Sequence, residues 1–294
     1  MAALVFAVQL IAGAVVEFAI ANIGRLLISY AIGRVLNKQP SYTAELRDNK
    51  QVVRSAVQAR NTIYGTTRTS GPLVFAESTG TNNQYIHLVI ALAGHECEEI
   101  GDVHFNDTVI TAAEIDGSGN VISGRYSGKA RIKKHLGTTT QAADSDLVSE
   151  VTNWTTAHQL KEIAYLYIRL DYDQSVFPTG IPNISAVVRG KKIYDPRTTT
   201  TAWSNNWALC ARDYLVNDLG VSASDINDTA FTTAADLSDE LVTVPDGSGG
   251  TVSQVRYTCD GSVFSDDTPL NIIEGLLSGG MGVLNWSEGK YNLF

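Results

Sequence analysis

The segment Ser185–Gly220 constrains the fold most, because it joins a strand pattern directly to a helix pattern. Ser185–Asp195 is rich in β-branched and aromatic residues, which favour strands. The strand pattern ends before Pro196, since proline cannot donate a hydrogen bond to a strand ladder. Thr198–Thr201 is polar and has no helical period. It is therefore predicted to link the strand to a helix.

The helix is predicted to begin near Ser204 or Asn205, which are both good N-caps, and Gly220 supplies a stop. The apolar residues recur at helical spacing: Trp207, Cys210, Ala211, Tyr214 and Leu215. This face is predicted to be buried, and Arg212 is expected on the opposite side. The segment alone predicts a strand, a linker and a helix, and none of its residues indicates a reaction.

The composition is that of a folded chain. It has 294 residues, of which 44% are hydrophobic, enough for a sizeable core and for two domains. A formal charge of −9 argues against a nucleic-acid binder, which needs clustered Lys and Arg. Cys97, Cys210 and Cys259 are widely spaced and odd in number, so they favour buried free thiols over a disulfide framework or a zinc site.

Residues 1–37 stand apart as an apolar segment that is predicted to be helical. The segment does not fit a secretory signal, because it lacks a positively charged start. Its length would allow a membrane span, but Glu17 near the bilayer centre would cost about 2.5 kcal/mol or more. Burial in protein, between copies of the chain, is the favoured alternative, and disorder of the segment is the third. The candidate interface is its bulky stripe: Leu4, Val8, Ile11, Val15 and Phe18.

The remainder of the chain is predicted to be rich in strands. Tyr85–Leu92 is a near-continuous apolar run, which is typical of a strand covered on both faces. Further strands are predicted at Thr62–Tyr64, Leu73–Ala76, Lys129–His135, Ile163–Tyr172 and Val252–Asp260. Turns are predicted at 65–71 and 77–83, and 109–126 is predicted to be a hairpin around the turn 116–120.

Helices are predicted to be few and short near the C-terminus. Residues 222–238 could hold one short helix. Thr268 and Pro269 open another, with Leu270, Ile273 and Leu277 on its apolar face. A hairpin is predicted around 287–290. The predicted fold class is α+β and predominantly β, with an N-terminal helix at 1–37, a β-rich domain at 38–200 and an α+β domain at 201–294.

Candidate catalytic and metal-binding groups lack essential members. His95 and Glu96 begin a metalloprotease-like pattern, but Glu99 stands where the second His is needed, and Gly101 interrupts any helix that would present His104. The oxygen-rich turn 116–120 lacks the distal Glu of a calcium loop. The paired carboxylates at 98–99 and 171–173, and the glycines at 247–250, have no supporting context. We expect no enzyme activity, no cofactor and no metal.

Several motifs resemble, in their order, the lambda-type tip attachment family of long-tailed bacteriophages. They are NTIYG at 61–65 with SGPLVF at 70–75, YIHLVIALAGH at 85–95 with IGDVHFND at 100–107, 165–173, FPTGIP at 177–182, VRGKKIYDPRT at 188–198 and WSNNWALCARDYL at 203–215. The resemblance runs from about Val52 to the end of the chain and does not cover the first forty residues.

The resemblance implies a structural, homotrimeric hub at the distal end of a phage tail. Such hubs close the tail tube and open for DNA during host attachment, and they contact distal tail proteins, other tail-tip proteins and the tape measure protein. A negatively charged surface suits DNA that passes without specific binding. In relatives, receptor-binding modules lie beyond the position of Phe294. The implied location is the tail tip of a virion assembled in the bacterial cytoplasm.

Two other function classes remain open at this point. A membrane-anchored structural protein would use residues 1–36, which could also contact a host membrane. A metal-dependent hydrolase would use His95 and Glu96. Metal analysis would distinguish the metal-dependent hydrolase from the tail hub. Particle mass would distinguish the membrane-anchored protein from the tail hub.

Overall fold

The computed structural model describes residues 59–294. The helix predicted at 1–37 and its interface stripe (Leu4, Val8, Ile11, Val15 and Phe18) lie outside the described residues. Strands predominate over short helices in the described part, which confirms the prediction of a mainly β fold.

Strands occur throughout the described residues, with helices between some of them. They are β1 (Asn61–Tyr64), β2 (Thr66–Thr69), β3 (Leu73–Thr79), β4 (Tyr85–Ala93), β5 (Cys97–Phe105), β6 (Thr108–Ile110), β7 (Ala130–His135), β8 (Ala164–Asp171), β9 (Ile184–Asp195), β10 (Thr200–Trp203), β11 (Leu241–Pro245), β12 (Thr251–Val255), β13 (Gly261–Phe264), β14 (Leu284–Ser287) and β15 (Lys290–Leu293).

The helices are α1 (Ser145–Glu150), α2 (Trp207–Asp213), α3 (Asp228–Asp239) and α4 (Pro269–Ser278) within the described residues. Helix α2 continues into a π-helical turn, Tyr214–Asp218.

The first sheet is antiparallel, with the order β3-β4-β8-β7. Strand β4 lies between β3 and β8, and the side chains in its middle are buried on both faces, as its apolar run predicted. Leu88 and Ile90 on one face belong to the main core. Val89 on the other face packs in a second core with Tyr167 of β8 and Leu147 of α1.

The second sheet has the order β10-β9-β5-β6, and β2 also pairs with β9. The prediction of a strand at Ser185–Asp195 is confirmed by β9, which is the longest strand of this sheet. Phe105 and Val188 from this sheet and Ile168 from the first belong to the same hydrophobic core, so the two sheets share it.

Three helices and the last strands enclose a third core. It contains Trp207 from α2, Phe231 from α3, Leu276 from α4 and Leu293 from β15. Tyr64 of β1 also belongs to this core. The sheet region therefore contributes side chains to it. The proposed division of the chain at residue 200 stays a prediction.

The linker predicted at Thr198–Thr201 is wrong in part, because β10 pairs antiparallel with β9. The carboxylate of Asp195 accepts the backbone N–H of Arg197 at 2.8 Å, and Thr199 adopts a positive φ of 56°. These two features reverse the chain. The β-branched residues after the turn then extend along β9 instead of running on to the helix.

The turn predicted at 65–71 is also wrong in part, because β2 lies within it. Gly65 alone changes the chain direction, at a φ of +61°, which glycine adopts without steric cost. The threonines after it then pair with β9.

The hairpin predicted at 109–126 forms only its turn. Asp116 accepts the backbone N–H groups of Ser118 and Asn120 at 2.9 and 2.8 Å. One bridge, between Ile115 and Val121, flanks this turn. Residues 108–110 pair with β5 instead, since those strands are joined directly by a short turn. The strand predicted at 252–260 is correct only in its first part, because β12 ends at Val255 and β13 begins after the predicted range.

Helix α3 is longer than predicted, and α4 starts as predicted but presents a partly different face. Thr268 caps α4 through its side chain, and Pro269 occupies the first turn. Ile272 and Leu276 are its buried residues, whereas Leu270 is 66% exposed. Ile273 and Leu277 of the predicted face pack half-buried against the third core, so the prediction is wrong at Leu270. The buried face is centred on Ile272 and Leu276.

Candidate functional site

Asn206 determines where α2 begins and how it meets α3. Its side-chain oxygen accepts the N–H groups of Ala208 and Leu209 at 3.1 and 3.3 Å. Its amide donates to the carbonyl of Ala235 at 2.9 Å and to Asp239 at 2.8 Å. The N-cap thus lies one or two residues after the predicted Ser204 or Asn205, and it also ties two helices together.

Trp207 lies against a set of glycines. It is buried, and its indole N–H donates to the carbonyl of Leu276 in α4. A Cβ added at Gly280 or at Gly282 would overlap the indole ring. These glycines are therefore required for the close approach of the chain to Trp207, which fixes the segment between α4 and β14.

A buried polar network connects β1 and β9 to α2. The hydroxyl of Tyr64 donates to Asp213 at 2.8 Å, and the ammonium of Lys191 lies 2.6 Å from the same carboxylate oxygen. Asp218, in the π-helical turn, lies 3.4 Å from Lys191. Burial, followed by the two carboxylates, raises the pKa of Tyr64 well above its ordinary value. The tyrosine thus stays protonated, and the network joins elements rather than supplying a reactive group.

Arg212 corrects the expectation that one side of α2 faces water. It is 5% exposed and donates to Asp228 of α3 at 2.8 Å. Its guanidinium carbon lies 5.1 Å from the ring centroid of Tyr194. The predicted apolar face is buried as expected, but the rest of α2 is buried too, because α3 and β9 cover the other side.

His95 is a buried structural residue. Its Nε2 accepts the backbone N–H of Ile63 at 2.9 Å, and its Nδ1 lies 2.8 Å from the carbonyl of Glu96, to which it donates. Both ring nitrogens are therefore engaged by the backbone. Burial lowers the pKa of His95, which keeps the ring neutral.

The carboxylates after His95 face β9. Glu96 and Glu98 lie 3.1 and 3.6 Å from the ammonium of Lys192, and Glu99 lies 3.5 Å from Arg189. His104 is near the far end of β5, more than about 20 Å along the extended chain from His95. Within residues 59–294, no group of three His, Cys, Asp or Glu side chains is arranged to hold a metal ion.

The carboxylates of the turn 116–120 and of the pair 171–173 are held by turns and by a surface cation. Asn120 and the turn N–H groups lower the pKa of Asp116. Ser175 and Lys129 lower the pKa of Asp173 to about 2. Neither group has the raised pKa of a general acid.

The three cysteines are free thiols, and Cys97 and Cys210 are buried as predicted, whereas Cys259 is partly exposed. Burial raises the pKa of Cys97 to about 12, which suppresses its thiolate.

Acidic groups are concentrated in the C-terminal region. Residues 201–294 contain 13 Asp and Glu but only 3 Lys and Arg. The same region exposes large apolar side chains, including Leu270, Met281, Val283, Trp286 and Phe294, each at least 55% exposed. Apolar surface of this kind is typical of protein contact sites. The sequence prediction placed the interface in the N-terminal segment and missed this surface. The available signal was the apolar residues next to Gly282 and Asn285, which belong to no helical or strand period.

No helix of the described part combines the length and the hydropathy that a membrane crossing requires.

Comparisons with known proteins find similarity in sequence and in structure. No protein-family model matches the chain. Tip attachment protein J of Escherichia phage SECphi27 is 30% identical over 141 residues, which cover 40% of this chain and 11% of that protein. The chain thus spans a small part of the length of this curated relative.

A solved structure titled "Virion of native gene transfer agent (GTA) particle" matches 81% of this chain and 63% of its own chain, at 15% identity and a TM-score of 0.41.

Proposed function

We propose that this chain is a structural protein of a phage tail, located at the tail tip. The single observation that carries the proposal is its 30% identity, over 141 residues, to a phage tip attachment protein. The proposed role is a homotrimeric hub that closes the tail tube, contacts other tail proteins and opens during host attachment so that DNA is ejected.

The internal chemistry supports a structural role without catalysis. His95, the strongest candidate for a metal ligand, uses both ring nitrogens for backbone hydrogen bonds. Tyr64, Lys191 and Asp213 satisfy one another between elements. We therefore propose that the chain is not an enzyme and needs no cofactor.

The charge supports passage of DNA without binding. The chain carries a formal charge of −9, and residues 201–294, with 13 acidic and 3 basic side chains, account for all of the excess acid. Such a surface repels phosphate, whereas a DNA-binding surface releases counterions through clustered Lys and Arg.

Immunogold labelling of purified particles tests the proposal. We expect label at the distal tip of the tail, and we expect particles from a strain lacking the gene to lose infectivity or tail assembly. Label confined to the host membrane fraction would support the membrane-anchored alternative. Absence of the protein from particles would contradict the tail proposal.

A further inference from the structure

Strands β11 and β12 form a two-stranded ribbon, here called the edge ribbon, that is made of Leu241–Pro245 and Thr251–Val255. Within the described residues, each of these strands pairs only with the other. All its side chains are exposed except those of Val242 and Val244, which are half-buried. A two-stranded ribbon is only marginally stable by itself in water, so a further strand paired to its edge would stabilise it.

Among residues 59–294, the backbone groups on both outer edges of the ribbon have no strand partner. Arg256 donates its N–H to the carbonyl of Glu240 at 2.9 Å, and Asp246 donates to Gly250 at 3.1 Å. In an antiparallel ribbon, hydrogen-bonded and non-hydrogen-bonded residue pairs alternate. Both bonds join even-numbered residues, so the backbone N–H and C=O groups of the even-numbered residues point into the ribbon. The backbone groups of Thr243 and Ser253 consequently point outward, one on each edge.

The edges also lack the usual protection against pairing. Natural edge strands are commonly blocked by charged side chains, and neither Leu241–Pro245 nor Thr251–Val255 contains one. Pro245 removes a single donor at the end of β11. Such edges are suited to the addition of another strand.

We propose that the edge ribbons of neighbouring copies pair, β11 of one copy against β12 of the next, so that three copies close a ring. The number three rests on the homotrimer of the proposed function. Rotation about an axis parallel to the strands preserves their directions, so β11 meets β12 antiparallel at every contact. Head-to-tail interfaces of this kind close into rings, and closure removes every free edge.

Charge complementarity favours this arrangement over a twofold pairing of two β11 strands. Glu240 and Arg256 form an ion pair of 2.8 Å at the base of the ribbon. In the ring, Glu240 of each copy also lies beside Arg256 of the next copy, so opposite charges alternate. A twofold pairing of two β11 strands centred on Thr243 would instead place Glu240 opposite Asp246, which is unfavourable.

Cysteine cross-linking tests the pairing directly. Thr243→Cys and Ser253→Cys are made in separate full-length chains that carry Cys259→Ser, so that no native thiol competes, since Cys97 and Cys210 are buried. The two chains are co-expressed with tags of different size and treated with a short bismaleimide. We expect cross-linked dimers that contain one chain of each kind, and none when either variant is expressed alone.

Each other outcome rejects a defined part of the inference. Thr243→Cys dimers formed alone would replace the ring by a twofold contact. A protein that is trimeric by light scattering but gives no cross-link would overturn the edge pairing and keep the trimer. A monomeric protein would reject both, whereas the tail-tip location depends on the immunogold result.

A proline variant provides a second measurement. Ser253→Pro removes one outward donor while sparing the hydrogen bonds inside the ribbon, and Ser253→Thr keeps that donor as the matched control. We expect Ser253→Pro to move trimer dissociation to higher protein concentration, with an unchanged far-UV circular dichroism spectrum. Equal dissociation of the two variants would contradict the edge pairing.

Discussion

His87 is a buried histidine that the first sheet holds neutral. It lies on β4, and its ring nitrogens form hydrogen bonds with Thr79 at 2.7 Å and Tyr167 at 2.9 Å. Burial lowers its pKa to about 4, and Arg169 and Arg131 act in the same direction against Glu150. Proton binding at this ring therefore opposes folding.

Stability should fall with acid because of His87. In the unfolded chain its pKa is about 6.5, so its contribution is complete above that pH and is lost as the pH falls toward 4. The free energy of unfolding, measured in urea, should drop by about 2 kcal/mol between pH 7 and pH 5 from this group alone. His87→Gln should remove that part of the slope. Identical slopes in both proteins would contradict the assignment.

His95→Ala should lower the free energy of unfolding, because His95 has a structural role. The change leaves the buried N–H of Ile63 without its acceptor, a loss of about 1–3 kcal/mol in the free energy of unfolding. Glu96→Gln is the control, because its ion pair with Lys192 is partly exposed and contributes about 0–1 kcal/mol. Stoichiometric zinc that survives dialysis in the wild type and is lost in His95→Ala would refute the structural assignment.

At the scale of elements, the contact between Trp207 of α2 and the segment after α4 depends on a missing side chain. Gly280→Ala would place a Cβ inside the Trp207 ring, so overpacking should cost about 1–3 kcal/mol. Gly275 lies within α4 with no atom near its added Cβ, so Gly275→Ala should raise stability by about 0.5–1 kcal/mol. Thermal unfolding of the pair checks both signs, and a neutral Gly280→Ala would show that Trp207 can move aside.

The face of α2 gives a graded series. Tyr214→Ala or Leu215→Ala should each lower the free energy of unfolding by about 2–5 kcal/mol, because both side chains are buried in the third core. Arg212→Ala should cost about 1–3 kcal/mol, since it loses a hydrogen-bonded ion pair with Asp228. Thr229→Ala, on the exposed side of α3, should stay within about 0.5 kcal/mol. Equal, small effects at all four positions would contradict the packing.

Local pattern predicted elements well where burial and periodicity agree, as in β4, β9 and the start of α4. It failed where a single residue reverses the chain. The turn at Gly65 leads into β2 and the turn at Thr199 leads into β10, both of which pair with β9, and nothing in the threonine runs there distinguishes a loop from a strand. The burial of Arg212 was missed because its partner Asp228 is distant in sequence. Contacts between distant residues also decided that His95 is structural.

At the scale of the whole molecule, residues 1–36 are predicted to act in assembly. A helix that is apolar all round must be buried in protein or lipid, and its candidate stripe runs from Leu4 to Phe18. Deleting 1–36 should leave a soluble, folded body, seen by circular dichroism, and should reduce incorporation into tails. Particles that assemble and infect normally without the segment would refute this assembly role, as would full-length protein that enters membranes as a monomer.

Strand β1 is synthesised long before β13, the strand with which it pairs. Arg60 and Ser265, which flank these strands and bond to each other, are 205 positions apart. At typical translation rates the second strand emerges roughly 10–40 s after the first. During that interval β1 lacks its partner strand, and its residues Ile63 and Tyr64, which are fully buried in the folded protein, lack that cover. Chaperone occupancy of nascent chains should therefore persist until residue 264 has left the ribosome.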